Sequence, residues 1–425
     1  MKTPDGEIEF ENIWAKFGLR SSPYSPTALS LIGNLDIGKA FYGRKKELKS
    51  LGDRVYSNSS SRSLIVAKSG EGKTSLGNYL RWKLCREKKF WESKFITTVD
   101  EMRVQSDWNL KEFLRKTLYE LYNASIIFNW SKDGMDLKTL ELIKKNLDLF
   151  VQKNLEISNE EIKLSETKTD YSPLPTEVLQ NWFVQLCKEA EGYNKKIILQ
   201  YNNLENLESE DLGRFLMSIK EILETPNTHW MFLGPVESIS VIEQYPQLHS
   251  RFNEYLHLER LTVNEVLEIL KLRCECLSTD GQNYIKPYDE ATIINLYEKL
   301  NGNMRFIFKI LDDIAEKLSS ENCKITIDEI NYIQQKEREK TFGRLTPNHQ
   351  KILSFLVDTG ESSMTDVSLG TNILPSNLPK EIRELKEKGI LVTREDPSDK
   401  RFTLVRLSQK TFLNFVFSKK EDVIS

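Results

Sequence analysis

The fold of this chain is decided by a stretch near its start, which reads Leu64-Ile65-Val66-Ala67-Lys68-Ser69-Gly70-Glu71-Gly72-Lys73-Thr74. The leading apolar residues predict a buried strand, and the pattern after Thr74 predicts a helix. Between them, two glycines let successive backbone N–H groups converge beside the positive end of the helix dipole. This order predicts a phosphate-binding loop of the pattern G-x-x-x-x-G-K-[ST], although its first position is alanine instead of glycine.

Each residue type in such a loop has its own task. Lys73 is expected to reach the outer phosphates, and the Thr74 hydroxyl is expected to hold Mg²⁺. The predicted cofactors are therefore ATP or ADP, with Mg²⁺. The predicted nucleotide contacts in the loop and the start of the helix are Ala67, Lys68, Ser69, Gly70, Glu71, Gly72, Lys73, Thr74 and Ser75.

Apolar runs alternate with helical patterns beyond this loop. Residues 95–99, 197–199 and 230–233 predict further strands, which favours an α/β fold with a parallel sheet flanked by helices. After residue 261 the apolar period becomes helical, which predicts a small all-helical domain. The polar stretch 158–176 is predicted to be a mobile insertion.

The last eighty residues change character again. Helical patterns at 350–357, 363–369 and 376–388 precede two strand-like runs at 390–393 and 402–407, a set that describes a winged helix. The predicted domains are therefore a lead segment at 1–40, a nucleotide-binding domain at 41–262 with an insertion at about 102–186, a helical lid domain at 263–343 and a winged helix at 344–425.

Composition narrows the class of protein. The chain has 425 residues, of which 39% are hydrophobic and 29% charged, as in ordinary globular proteins of several domains. The sequence predicts no membrane span, and the polar start predicts a cytoplasmic location. Five scattered cysteines predict reduced thiols, and the four histidines lack the usual spacing of a zinc site.

Hydrolysis of ATP requires acids that this sequence does not place where they are expected. The strand at 197–199 continues into Asn202 and Asn203, at positions where a carboxylate would order Mg²⁺ and its water. Asn202 is kept as a candidate metal ligand through its side-chain oxygen. Glu205 is a weak candidate for the catalytic carboxylate, and the alternative is that it begins an exposed helix.

Two arginines are candidates for phosphate contacts from other parts of the fold. Arg251, in Ser-Arg-Phe, could reach the γ-phosphate of a neighbouring subunit, or it could form a surface salt bridge. Arg305, near a predicted helix start, either folds back onto the phosphates or caps a packing face.

In the order of these motifs the chain resembles the AAA+ ATPases, and more narrowly the origin-recognition (ORC/Cdc6-like) initiators and related prokaryotic ATPases. The resemblance covers residues 40–425. It rests on the box at Gly43, Arg44, Glu47 and Leu48, the phosphate loop, the Ser-Arg-Phe motif, the Gly-Asn-x-Arg motif at 302–305 and the winged helix.

The resemblance implies specific roles for these residues. It implies that Gly43 and Arg44 contact adenine, that Arg251 acts in trans as an arginine finger, and that Arg305 senses the γ-phosphate. It assigns no residue to the sensor at the end of the 230–233 strand, where Gly234 and Pro235 lack a side-chain donor. It also implies a homo-oligomer or hetero-oligomer formed through the AAA+ interface.

DNA is the expected partner of the winged helix. The candidate DNA contacts are Lys380, Arg383, Arg394, Lys400 and Arg401. Residues 346–425 hold 12 Lys and Arg against 11 Asp and Glu, a balance of +1 that favours DNA only weakly over a protein partner.

Three hypotheses follow. The leading one is an ATP-bound switch that assembles with nucleotide and engages DNA, with slow or absent hydrolysis. The second is an active ATPase loader or motor in which Glu205 acts. The third is a nucleotide-binding interaction subunit of a prokaryotic defence or transposition complex.

Overall fold

The computed structural model describes residues 12–146, 174–281, 283–317, 324–342, 345–396 and 401–415. Its contacts divide the chain into two compact units. The central unit is Thr27–Cys276, and the C-terminal unit joins Met1–Pro26 to Leu277–Ser425. Most of the stretch predicted to be a mobile insertion, residues 158–173, lies outside the described residues.

The central unit alternates strands and helices along the chain, as the apolar runs predicted. Its strands are β1 Ser61–Val66, β2 Phe95–Thr97, β3 Met102–Arg103, β4 Lys196–Asn202, β5 Thr228–Gly234 and β6 Glu254–His257. Its helices are α1 Ile37–Ala40, α2 Lys45–Ser57, α3 Lys73–Cys85, α4 Leu110–Ile127, α5 Lys138–Lys145, α6 Thr176–Gly192, α7 Ser209–Ile219, α8 Ser238–Glu243, α9 Pro246–His249 and α10 Val263–Leu277.

All strand pairs of the central sheet are parallel, and their order is β2-β4-β5-β1-β6, with β3 paired to β4. Val66, the last residue of β1, pairs with Gly234 of β5 and with His257 of β6. Every residue of β5 is buried, as expected for a central parallel strand covered on both faces. The predicted fold class is confirmed for this unit.

Large aromatic side chains fill one face of this sheet. Tyr201 of β4 and Trp230 of β5 are fully buried and stack with Phe113 of α4, with ring centroids 4.7 Å and 5.8 Å from that of Phe113. The opposite face packs Leu76 and Leu80 of α3 against the sheet. Both faces together hold β1 rigidly, and with it the start of the loop that follows β1.

The C-terminal unit is mainly helical. Its helices are α11 Glu290–Lys299, α12 Met304–Lys317, α13 Ile327–Phe342, α14 Pro347–Thr359, α15 Met364–Thr371, α16 Leu378–Glu387 and α17 Gln409–Phe415. Its strands are β7 Ser362–Ser363, β8 Leu391–Glu395 and β9 Thr403–Leu407. Within the described residues no helix is both long and apolar enough to cross a lipid bilayer.

The winged helix is confirmed. Helices α14, α15 and α16 pack around Leu353, Val367 and Leu385, and β7, β9 and β8 form an antiparallel sheet beside them. A capping box between Ser363 and Asp366 fixes the start of α15. The tip of the wing at 397–400 lies outside the described residues.

Candidate nucleotide-binding site

The loop between β1 and α3 has the backbone that a phosphate cradle requires. Gly70 and Gly72 both have φ of 88°, a left-handed conformation that strains any residue with a side chain. A Cβ atom at Gly72 would meet nothing within 4 Å, so this glycine is needed for its conformation and not for space. Lys73 opens α3, and its Nζ donates to the carbonyl oxygen of Ala67 at 2.7 Å. The loop therefore presents its N–H groups at the start of a helix of 13 residues.

Arg44 holds the phosphate loop in place through its side chain. Its side chain is buried, donates from Nη2 to the carbonyl oxygen of Glu71 at 3.0 Å and pairs with Glu47 at 3.1 Å. The Glu71 carboxylate in turn accepts from the backbone N–H of Lys68 at 2.9 Å. The contact of Gly43 and Arg44 with adenine stays a prediction, and the observed contacts give Arg44 a structural role in holding the loop.

A chain of amide hydrogen bonds ends on the Thr74 hydroxyl. The Nε of Arg81 donates to Oε1 of Gln200 at 3.2 Å, and Nε2 of Gln200 donates to Oδ1 of Asn202 at 3.0 Å. Asn202 then donates from Nδ2 to Oγ1 of Thr74 at 3.1 Å. Asn202 thus lies beside the predicted Mg²⁺ ligand, as its place in the sequence suggested.

Arg81 fixes the direction of this chain. A guanidinium has only donors, so Gln200 must turn its oxygen to Arg81 and its NH₂ group to Asn202. Asn202 must then turn its own NH₂ group to Thr74. A carboxylate at this position would accept a hydrogen bond from the Thr74 hydroxyl, whereas Asn202 donates a hydrogen bond to it. A metal-ligand role for Asn202 therefore requires its amide to turn over and lose the bond from Gln200.

Arg81 is itself held in place by a complete set of polar partners. It is fully buried on α3, and burial lowers the pKa of its guanidinium to about 10. Its Nη1 donates to the backbone oxygen of Thr98 at 2.9 Å, and its Nη2 to Oδ1 of Asn78 at 2.8 Å. Breaking such a buried network by removing one partner is costly, so the direction of the amide chain is strongly fixed.

Glu101 is a carboxylate near this network that sequence reasoning missed. Its Oε2 accepts from Nδ2 of Asn78 at 3.2 Å, and its side chain is only 9% exposed. Asn78 follows Thr74 by four residues on α3, so the two side chains lie on the same face of the helix. No signal in the sequence indicated it, because the strand that follows Glu101, β3, has only two residues and forms only by pairing with β4.

The other predicted residues of the central unit differ in exposure. Glu205 is exposed on a 3-10 turn, Leu204–Asn206, directly after Asn203, whose φ is 64°. The Ser75 hydroxyl accepts from the backbone N–H of Leu29 at 3.2 Å, so it fastens a preceding loop to α3. The roles predicted for Glu205 and Ser75 stay predictions.

Arg251 lies far from the phosphate loop of its own chain. It precedes β6, whose Glu254 pairs with Ser63 of β1, so Arg251 lies near the start of β1 whereas the loop follows its end. Its Nε forms an ion pair with Oε1 of Glu224 at 2.8 Å, and its Nη1 donates to the backbone oxygen of Gln247 at 2.6 Å. Strands rise about 3.3 Å per residue, so the length of β1 separates Arg251 from its own nucleotide site.

Arg305 is exposed on the first turn of α12, in the C-terminal unit. The phosphate loop belongs to the central unit. The predicted role of Arg305 toward the γ-phosphate stays a prediction.

The predicted DNA contacts in the winged helix are partly engaged within the domain. Lys380 and Arg383 are exposed on α16, and Arg401 is exposed just before β9. Arg394 of β8 donates from Nε to Glu361 at 2.8 Å, and this bond lowers the pKa of the Glu361 carboxyl. Lys400 lies outside the described residues. Their contact with DNA stays a prediction.

The chain joins a P-loop α/β sheet to a winged helix. No protein-family model matches it. An uncharacterised HTH-type transcriptional regulator of Methanocaldococcus jannaschii is 20% identical over 92% of this chain and 91% of its own length. A second uncharacterised HTH-type transcriptional regulator, from Bacillus subtilis, is 30% identical over 18% of this chain and 47% of its own length.

Among solved structures, the chain is similar to ORC and Cdc6 proteins at low identity. The Aeropyrum pernix ORC1 protein in complex with DNA is 13% identical, with a TM-score of 0.47 over 89% of this chain and 93% of that one. The ORC2 protein of the same organism, in ADPNP-ADP complexes, is 14% identical, with a TM-score of 0.45 over 90% and 92%. Cdc6p of Pyrobaculum aerophilum is 16% identical, with a TM-score of 0.42 over 94% and 97%.

Proposed function

We propose that this protein is an ATP-binding switch that assembles in a nucleotide-dependent way, engages DNA through its winged helix and hydrolyses ATP slowly or not at all. The observation that carries the proposal is the hydrogen bond from Asn202 to Thr74. The site therefore has a complete phosphate-binding loop, but it has an amide at the position where ATP hydrolysis would need a carboxylate.

Phosphate binding is supported by the loop itself. Two left-handed glycines, a lysine at the helix start and the helix dipole favour a polyphosphate without help from an acid. These residues fit the triphosphate of ATP. Mg²⁺ would supply charge neutralisation between the outer phosphates, and Thr74 is the residue that would hold it.

Slow turnover is supported by the direction of the amide chain. Asn202 carries no negative charge and donates toward Thr74, so it neither attracts Mg²⁺ nor accepts a proton from water. Bound ATP would therefore persist, and its effect on the protein would come from the difference in affinity between two states.

Assembly is supported by the place of Arg251. Arg251 lies near the start of β1, whereas the phosphate loop of the same chain follows the end of β1. An arginine finger role for Arg251 therefore requires a second subunit. DNA binding is supported by the winged helix, by exposed Lys380 and Arg383 on α16, and by relatives named as HTH-type transcriptional regulators.

Calorimetry with Mg·ATP tests the central claim. The full chain is expected to bind one nucleotide, and Lys73→Ala is expected to bind far more weakly, because it loses the charge that faces the outer phosphates. Lys83→Ala, an exposed lysine of α3 paired with Glu87, is the matched control. Binding that is equal in Lys73→Ala and in the wild type would contradict the proposal.

A second candidate function, an active ATPase, is favoured by one observation. Glu101 is a largely buried carboxylate that accepts a hydrogen bond from Asn78, which lies on the same face of α3 as Thr74, and it could supply the missing charge. Steady-state turnover that exceeds the Lys73→Ala background and falls in Glu101→Gln would support this candidate. Turnover at the background level in the wild type would exclude it.

A further inference from the structure

The winged helix contains a buried histidine that faces two carboxylates from another helix. His349, on the first turn of α14, is fully buried. Its Nε2 lies 2.9 Å from Oε2 of Glu381 and 3.5 Å from Oε2 of Glu384, both on α16. The nucleotide-dependent function proposed above does not use this group.

The geometry of this contact is not that of a hydrogen bond. Neither ring nitrogen of His349 has a hydrogen-bond partner among the described residues, although a carboxylate oxygen lies at hydrogen-bond distance from Nε2. A buried polar nitrogen without a hydrogen bond is costly, and an ion held by Nε2 would remove that cost for this nitrogen. The ligand atoms around one metal ion lie close together without hydrogen bonds between them, because each points at the ion and not at its neighbour.

We propose that His349, Glu381 and Glu384 form a binding site for one divalent transition-metal ion of the Zn²⁺ class. Zinc binds histidine nitrogen and carboxylate oxygen at about 2.0–2.2 Å, so two ligands of a tetrahedral site lie about 3.3 Å apart. The distances from Nε2 to the Glu381 and Glu384 oxygens, 2.9 Å and 3.5 Å, lie just below and just above that value. The ligand atoms of all three residues lie within 4.8 Å of one another, which a small side-chain movement closes.

The ligand types select the class of ion. An imidazole nitrogen with two carboxylates suits zinc and its neighbours better than Mg²⁺ or Ca²⁺, which prefer oxygen alone. Asn348 donates from Nδ2 to Oε1 of Glu381 at 3.1 Å and so orients that carboxylate, as outer partners do around metal ligands. Glu384, whose side chain is 37% exposed, leaves a path for the ion and for a water ligand.

Such an ion would join α14 to α16. Glu381 and Glu384 lie three residues apart on one face of α16, and the exposed Lys380 and Arg383 lie on the same helix. Metal binding would therefore fix the helix that carries two of the predicted DNA contacts. Neither cysteine spacing nor histidine spacing in the sequence indicates this site, because its ligands come together only in the folded domain.

Zinc titration of the full chain tests the proposal. Metal-free protein is titrated with Zn²⁺ in competition with a chromophoric chelator, and the same measurement is made on Glu384→Gln. One tight site is expected in the wild type, with affinity about tenfold or more lower in Glu384→Gln, because even outer-sphere partners of a metal typically contribute that much. Zn²⁺ is also expected to raise the midpoint of thermal unfolding more in the wild type than in Glu384→Gln.

Glu387→Gln is the matched control, since it removes the same charge from an exposed position of α16 that is not one of the three proposed ligands. It is expected to bind Zn²⁺ as the wild type does. Three results would overturn the proposal: no tight Zn²⁺ site in the folded wild type, equal affinity in Glu384→Gln and the wild type, or equal loss in both variants. Circular dichroism confirms that each variant is folded.

Discussion

Gly77 offers a sharp test of the amide chain that ends on Thr74. A Cβ atom at this position of α3 would lie 2.4 Å from Oε1 and 2.8 Å from Cδ of Gln200, where ordinary contacts begin at 3.4 Å. In Gly77→Ala, Gln200 must therefore move by about 1 Å. That movement breaks its bonds with Arg81 and Asn202, at 3.2 Å and 3.0 Å.

The expected change in the free energy of unfolding follows from three contributions. Losing the bond to buried Arg81 costs about 1.5–3 kcal/mol, and losing the neutral amide bond costs about 0.5–1.5 kcal/mol. Alanine gains about 1 kcal/mol over glycine in helix propensity. Gly77→Ala is therefore expected to lower the stability of the central unit by about 1–3.5 kcal/mol, although alanine is the better helix former.

Gly52→Ala is the control for propensity alone. Gly52 lies in α2, and a Cβ atom there would meet only Cδ1 of Leu80, at 4.0 Å. This variant is expected to gain up to about 1 kcal/mol. Both variants are unfolded in urea and followed by tryptophan fluorescence, with calorimetry of Mg·ATP binding in parallel. If Gly77→Ala is as stable as Gly52→Ala, the reasoning on the amide chain is refuted.

Three further predictions concern the site, the interface and pH. Asn202→Asp is expected to improve the affinity for Mg·ATP relative to ATP alone about tenfold or more, because it adds a charge beside Thr74; an unchanged ratio in calorimetry would contradict this. Arg251→Ala is expected to abolish nucleotide-dependent assembly in analytical ultracentrifugation without changing ATP affinity, while Arg214→Ala, an exposed arginine paired within its own helix, assembles normally. Burial lowers the pKa of His229 to about 3, so the unfolded chain takes up the proton first and stability falls as the pH drops below 6.5, by up to about 1.4 kcal/mol per pH unit. Urea unfolding between pH 7 and pH 5 is expected to show a smaller slope in His229→Gln.

Four strands of the central sheet, β1, β2, β4 and β5, and the phosphate loop could be predicted because their signals are local. Buried parallel strands are continuous apolar runs, and the loop is defined by glycines and a lysine at fixed spacing. Strands β3 and β7 were not predicted, because each has two residues and exists only through pairing with β4 or β9. No periodic pattern can develop over two residues.

The interior of the site could not be predicted for a different reason. Arg81 is charged and lies on a helix, so its position in the sequence suggests an exposed face, whereas it is fully buried. Its partners come from α3, from the segment 97–100 and from Gln200, which is more than a hundred residues away in the sequence. The sequence placed an asparagine beside Thr74, but only the folded network shows which end of its amide faces the hydroxyl.

In the proposed switch, Arg251 and Asn202 have complementary effects. The pair between Arg251 and the half-exposed Glu224 contributes at most about 1 kcal/mol, so it is easily exchanged. The outer phosphate of a triphosphate bound to a neighbouring subunit would offer a stronger, charge-assisted contact, because a guanidinium binds phosphate oxygens in a bidentate way. Because Asn202 cannot accept a proton from water, the proposed switch would consume that triphosphate slowly or not at all, and disassembly would follow from nucleotide release. The lifetime of the assembly would then equal the residence time of ATP, so weakening the phosphate loop should shorten the assembly without changing any contact at the interface.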